Sequence, residues 1–135
     1  MNSLRLCFAF GVVGLAGCAS VPLPPEAAAV NLDRIPSKSV AVYQPKLVVK
    51  DGRLMLDGLV YRQFGSQTTA RSHIDIVFLD DSGRELRSEG TYFAPRDLRM
   101  GGHKMAHRGH YTLPIPAMPT GTATIQVRAH DADEH

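Results

Sequence analysis

"KLVVKDGRLMLDGLVYR", residues 46–62, decides the fold. Two apolar runs flank Asp51-Gly52. A two-residue connection between antiparallel strands needs positive φ at both central positions, and Asp-Gly supplies it at low steric cost. The stretch therefore predicts a hairpin, with strands over 46–50 and 53–62. Downstream, "HIDIVFLD" (73–80) alternates Ile74, Ile76 and Phe78 on one face. Asp81-Ser82-Gly83 turns the chain, and "RELRSEGTYFA" (84–94) reads as its return strand, with Leu86 and Tyr92 facing inward. "HYTLPI" (110–115) places Tyr111, Leu113 and Ile115 on one side. After a turn at Pro119-Thr120-Gly121, "TATIQVRAH" (122–130) sets Ala123, Ile125, Val127 and Ala129 inward.

No sustained helical period follows residue 38, whereas period two recurs between turn residues. Six or seven strands at this spacing predict an all-β fold, an immunoglobulin-like antiparallel β-sandwich over residues 39–131. Pro95, Pro114 and Pro116 belong at strand ends or on edges, where a missing amide donor does no harm. Asp57 and Asp75 are expected to alternate outward into solvent. Residues 132–135 read as a flexible tail, since chain ends are seldom tied down.

The start of the chain reads differently. "MNSLRLCFAFGVVGLAG", residues 1–17, carries one positive charge, Arg5, then an apolar run from Leu6 to Ala16. That run is shorter than the about 20 apolar residues a membrane-spanning helix needs, and it reads as a secretory signal peptide. Leu15-Ala16-Gly17-Cys18 resembles the lipobox of bacterial lipoproteins. The resemblance implies cleavage before Cys18 and fatty acylation of its sulfur, with palmitate-type chains as the membrane anchor. Each buried CH₂ contributes about 0.8 kcal/mol, so two or three chains hold permanently. Ala19 in the following position implies sorting to the outer membrane, with the domain at its periplasmic face. Cys7 leaves with the signal and Cys18 is taken by lipid, so no disulfide framework is available. Residues 18–38, with Pro22, Pro24, Pro25 and Pro36, read as a tether, within which 25–35 is a candidate short helix.

The 15 Lys and Arg against 13 Asp and Glu form no basic stripe, which argues against a nucleic-acid partner. "VFLDDSGRELRSEGTYFAP", "YTLPIP" and "ATIQVRAHD" together resemble the FxLYD-type, immunoglobulin-like modules of small bacterial lipoproteins. The match is Phe78-Leu79-Asp80 followed by Asp81-Ser82-Gly83, over roughly residues 46–130. Where that group often has Gly-x-Val-x-Asn, this chain has Gly58-Leu59-Val60-Tyr61-Arg62. The resemblance implies the fold and carries no catalytic residues.

"GGHKMAHRGH", residues 101–110, holds the densest coordinating chemistry. Imidazole suits copper and zinc, and a thioether suits Cu(I). His103, Met105, His107 and His110 are therefore candidate ligands. In a strand, His103 and Met105 share a face while His107 lies about 13 Å from His103. In a helix, positions 103, 107 and 110 form one stripe. Gly101, Gly102 and Gly109 weigh against the helix, and the stretch is expected to be an exposed loop. Its cations, with Arg96, Arg99, Lys104 and Arg108, equally suit an acidic partner or lipid headgroups. The polar loop over 63–72 suits a crossing between sheets or a binding loop. Arg71, Ser72 and His73 are adjacent in sequence, which does not place a nucleophile beside a base in space. No nucleophile motif, paired-acid signature or phosphate-binding glycine loop occurs. The sequence thus predicts a non-enzymatic, lipid-anchored lipoprotein without a bound cofactor, binding or organising another cell-envelope component. The alternative is a periplasmic copper or zinc binding protein.

Overall fold

Asp51 and Gly52 take φ of 50° and 71°, the left-handed values the hairpin requires. A computed structural model describes residues 20–64, 68–98 and 108–132. In chain order it contains a short helix α1 (Pro25–Ala28) and strands β1 (Asn31–Ile35), β2 (Val40–Lys50), β3 (Arg53–Arg62), β4 (His73–Leu79), β5 (Glu85–Thr91), β6 (Arg108–Pro114) and β7 (Thr124–His130). One sheet has the order β1-β7-β4-β5 and the other β2-β3-β6. Their inner faces pack together as a β-sandwich, as the strand pattern predicts. Ile74, Ile76, Phe78, Ile125 and Val127 meet Val42, Leu56, Val60, Tyr111 and Leu113 in one core. Period two explains the burial. Along β6, Gly109, Tyr111 and Leu113 are buried between exposed Arg108, His110, Thr112 and Pro114.

Three expectations are corrected. The stretch 18–38 is not all tether: Asn31–Ile35 pairs parallel with β7, from Asn31↔Thr124 to Ile35↔Arg128. The prolines flank this strand without entering it, so no ladder donor is lost. The helix is confined to Pro25–Ala28, with Ala27 buried. Second, β2 begins at Val40 rather than Lys46. Gln44 takes φ of 44°, and the register with β3 shifts between Tyr43 and Lys46. This bulge accommodates Pro45 within a strand.

Third, Tyr92 faces outward and is 62% exposed, while Phe93 is buried. Phe78 pairs with Arg87 and Leu79 with Glu85, so Leu86 is the extra residue of a bulge. One inserted residue reverses the parity of every side chain beyond it. Arg87 and Glu89 therefore turn to the inner face of β5, an edge strand. Arg87 lies over the Phe78 ring at 4.5 Å, is 3.0 Å from Glu89, and donates to the Ala117 carbonyl at 2.9 Å. Inward charge on an edge discourages pairing with a second sheet.

Strand direction sorts the connections to two ends. The Asp51-Gly52 turn, the 80–84 turn, the 115–123 segment and α1 lie at one, the hairpin end, joined by Ile115 N to Leu54 O (2.8 Å), Ala123 N to Leu79 O (2.8 Å) and Asn31 N to Ala123 O (3.0 Å). At the hairpin end Asp80 Oδ1 accepts from Ser82 N, Ser82 Oγ and Arg84 N, and Gly83 takes φ of 81°, which fixes the β4–β5 turn. Residues 36–39, 63–64, 68–72, 92–98 and 131–132 lie at the other, the loop end.

Candidate functional site

The loop end is held by buried polar groups. Thr69 is fully buried. Its hydroxyl donates to the Arg96 carbonyl at 3.0 Å and accepts from the Leu98 amide at 2.7 Å, joining the 63–72 connection to the 92–98 segment. Arg62 donates to the Leu98 carbonyl at 3.1 Å. Phe93 and Leu98 are buried beneath this network and tie the segment to the core. Loops anchored in this way present their outer residues in a fixed arrangement.

Asp131 organises the adjacent corner. Ser37 Oγ donates to its Oδ1 at 2.7 Å, Ser39 N to its Oδ2 at 3.1 Å, and Ser72 Oγ to its Oδ1 at 3.4 Å. Asp131 thus satisfies two buried hydroxyls. Lys38, Thr68 and Arg71 complete the wall of a polar cleft of about 290 Å³ beside it. The Ser72 hydroxyl is directed to this carboxylate, away from the sequence-adjacent imidazole of His73.

His73 lies on the outer face of the four-stranded sheet. It stacks on His130 with centroids 5.3 Å apart and planes at 17°. The two Nε2 atoms approach different oxygens of Asp75, at 3.5 Å from His73 and 3.3 Å from His130. Asp75 is thus flanked by two imidazoles rather than surrounded by solvent. Their cross-strand register, His73↔His130, brings the rings together. Neighbours on adjacent strands are invisible to a reading of one strand at a time.

Asp57 is a larger departure from expectation. Its side chain points outward, yet the residue is only 3% exposed. Lys50 Nζ donates to Oδ2 and Thr112 Oγ1 to Oδ1, each at 2.6 Å. Burial pushes the carboxyl up, but these two hydrogen bonds and the charges of Lys50 and His110 outweigh it. The pKa is held below the ordinary aspartate value. On the inner face behind it, Tyr111 Oη is buried with no hydrogen-bond partner among the described residues. Burial first, and then the Asp57 charge, push that hydroxyl well above the ordinary phenol range.

The exposed surface of the loop end is aromatic and cationic. Phe64 is 92% exposed. The Arg96 guanidinium stacks on the Tyr92 ring at 3.9 Å. Lys38, Arg71, Arg96 and Arg108 are all exposed. Of the loop cations named from the sequence, Arg96 and Arg108 thus fall at this end, whereas Arg99 and Lys104 lie outside the described residues. Phe64 and Tyr92 escaped the sequence reading. A phenylalanine in a polar loop was the available signal for the first; the β5 bulge concealed the second.

His110 occupies an exposed position in β6. A helical stripe through 103, 107 and 110 therefore cannot extend to His110, because Arg108–Pro114 is extended. His103, Met105 and His107 lie outside the described residues, as do residues 1–17, expected to be a signal peptide, and Cys18, expected to be acylated. Among the described residues, no group of three His, Cys, Asp or Glu side chains is disposed to hold a metal ion. In comparisons with known proteins, no family model, curated protein or solved structure matches the chain.

Proposed function

We propose that this chain is a non-catalytic, lipid-anchored lipoprotein of the outer membrane's periplasmic face, and that its loop end docks onto another envelope protein. The observation that carries the reading is the exposed Phe64 at the same end as the Tyr92–Arg96 stack and the cations Lys38, Arg71 and Arg108. Aromatic rings and arginine dominate binding energy at protein interfaces, because they bury large areas while retaining a directed polar group. Thr69 and Asp131 hold the supporting loops, which limits the ordering cost of binding. The surface suits a partner with an apolar recess for Phe64 beside a carboxylate-rich rim. The FxLYD-type resemblance and the lipobox agree with such a tethered binding module.

The test is capture from detergent-solubilised envelopes, comparing the native chain with a Phe64→Ser/Arg96→Glu variant. The proposal expects a stoichiometric protein retained by the native chain and lost from the variant, while both unfold at the same urea concentration. Recovery of no stoichiometric protein, or equal recovery by both, overturns it.

A further inference from the structure

We infer that the hairpin end of the sandwich rests against the lipid headgroup layer and that the loop end faces away from it; this orientation rests on the proposed acylation of Cys18. Ser20 and Val21 border a surface depression with Val48, Val49 and Lys50, close to the Asp51-Gly52 turn. Only Ala19 lies between an acylated Cys18 and Ser20. Two residues reach at most about 7 Å. The acyl chains must therefore enter the bilayer beside the turn-proximal part of β2. Leu23 packs against the core, so the segment is fastened before it could serve as a long leash.

The opposite end is remote on the same grounds. Strand β3 runs ten residues from Arg53 to Arg62, about 30 Å at strand rise. It separates the anchor from Phe64, Arg71 and Arg96. The surface beside the anchor fits lipid headgroups. Val21 is 61% exposed, an apolar side chain next to the point of insertion. Arg53 is exposed beside the hairpin turn, where it meets a headgroup phosphate. A tether spanning 18–38 would have allowed any orientation. The fastening of Leu23, α1 and β1 removes that freedom.

The acylated full chain, reconstituted in phosphatidylethanolamine–phosphatidylglycerol vesicles, provides the test. Once Cys18 is acylated, the mature chain has no other cysteine, so Thr120→Cys and Ala70→Cys each carry one fluorophore. Position 120 lies at the hairpin end and 70 at the loop end, both exposed. With a headgroup nitroxide quencher, quenching at 120 should exceed that at 70 at least threefold. Equal quenching, or stronger quenching at 70, overturns the orientation while leaving the anchor intact. Mass spectrometry of the same product reads the anchor separately. An unmodified Cys18 overturns the lipoprotein reading, and the orientation with it.

Discussion

Replacing Gly58 with alanine tests whether the core is packed as described. Gly58 in β3 sits directly opposite Tyr111 in β6, and both face inward. The tyrosine is 1% exposed, and its ring occupies the space a side chain at 58 would need. An added Cβ would lie 2.6 Å from Cε1, and closer still to Cζ and Oη, where ordinary contact begins near 3.4 Å. The ring would have to retreat by about 1 Å into an interior packed as densely as an organic crystal. Overpacking by one methyl costs about 1–3 kcal/mol, and the upper half of that range applies because a rigid ring, not a flexible side chain, must yield. Urea unfolding of the domain should show a lower midpoint at unchanged slope. Tyr111→Leu should vacate part of the contested space. The double variant should then be more stable than the sum of the two single losses predicts, by about 1 kcal/mol, within the range for side chains in contact. A Gly58→Ala loss below about 0.5 kcal/mol, typical of an innocuous surface change, or strict additivity with Tyr111→Leu, would refute the reasoning.

Tyr111→Phe removes a buried hydroxyl that has no hydrogen-bond partner among the described residues, a group whose unmet hydrogen bond costs about 1–3 kcal/mol. The variant should be at least as stable as the native domain by the same urea measurement. Asp57→Ala should cost about 1–2 kcal/mol at neutral pH, at the low end for charged hydrogen bonds because Lys50 is half-exposed. Since the folded-state pKa of Asp57 is depressed, its contribution is fully present above the unfolded aspartate value near about 4 and is lost as pH falls through the lower folded value. Urea midpoints of native and Asp57→Ala protein should therefore converge as the medium is acidified below that point, and a gap unchanged down to pH 2 contradicts the assignment. Asp131→Ala should cost about 1–3 kcal/mol, because the buried Ser37 and Ser72 hydroxyls lose their acceptor. Thermal melts of native and Asp131→Ala protein check this loss.

The hairpin, both outer turns and the alternation in β4, β6 and β7 were legible because each depends on local chemistry: positive φ at Gly52, Gly83 and Gly121, and period two between them. Two features were illegible for a common reason. A bulge changes parity without marking the sequence, so Leu86 concealed the outward turn of Tyr92, and Gln44-Pro45 concealed the first half of β2. Cross-strand company was equally hidden. Nothing along "RLMLDGLVYR" says that Asp57 will be covered by Lys50 from across the turn and Thr112 from β6. Likewise, His73 and His130 become neighbours only through register. Prolines at 22, 24, 25 and 36 argue for irregular structure, yet they stand outside the strand at Asn31–Ile35 and so hide it. Of the candidate site, the cations Arg96 and Arg108 are legible in the sequence, while the aromatic half, Phe64 and Tyr92, emerges only from the fold.

The parallel pairing of β1 with β7 has a kinetic corollary. The earliest strand of the chain waits for the latest one, so the four-stranded sheet cannot be completed by any N-terminal fragment. Such distant pairing is slow, since the loop must close before the contacts reward it. A chain made from its amino end leaves Asn31–Ile35 without its β7 partner until Thr124–His130 is available. The last strand therefore sets the moment at which the four-stranded sheet closes.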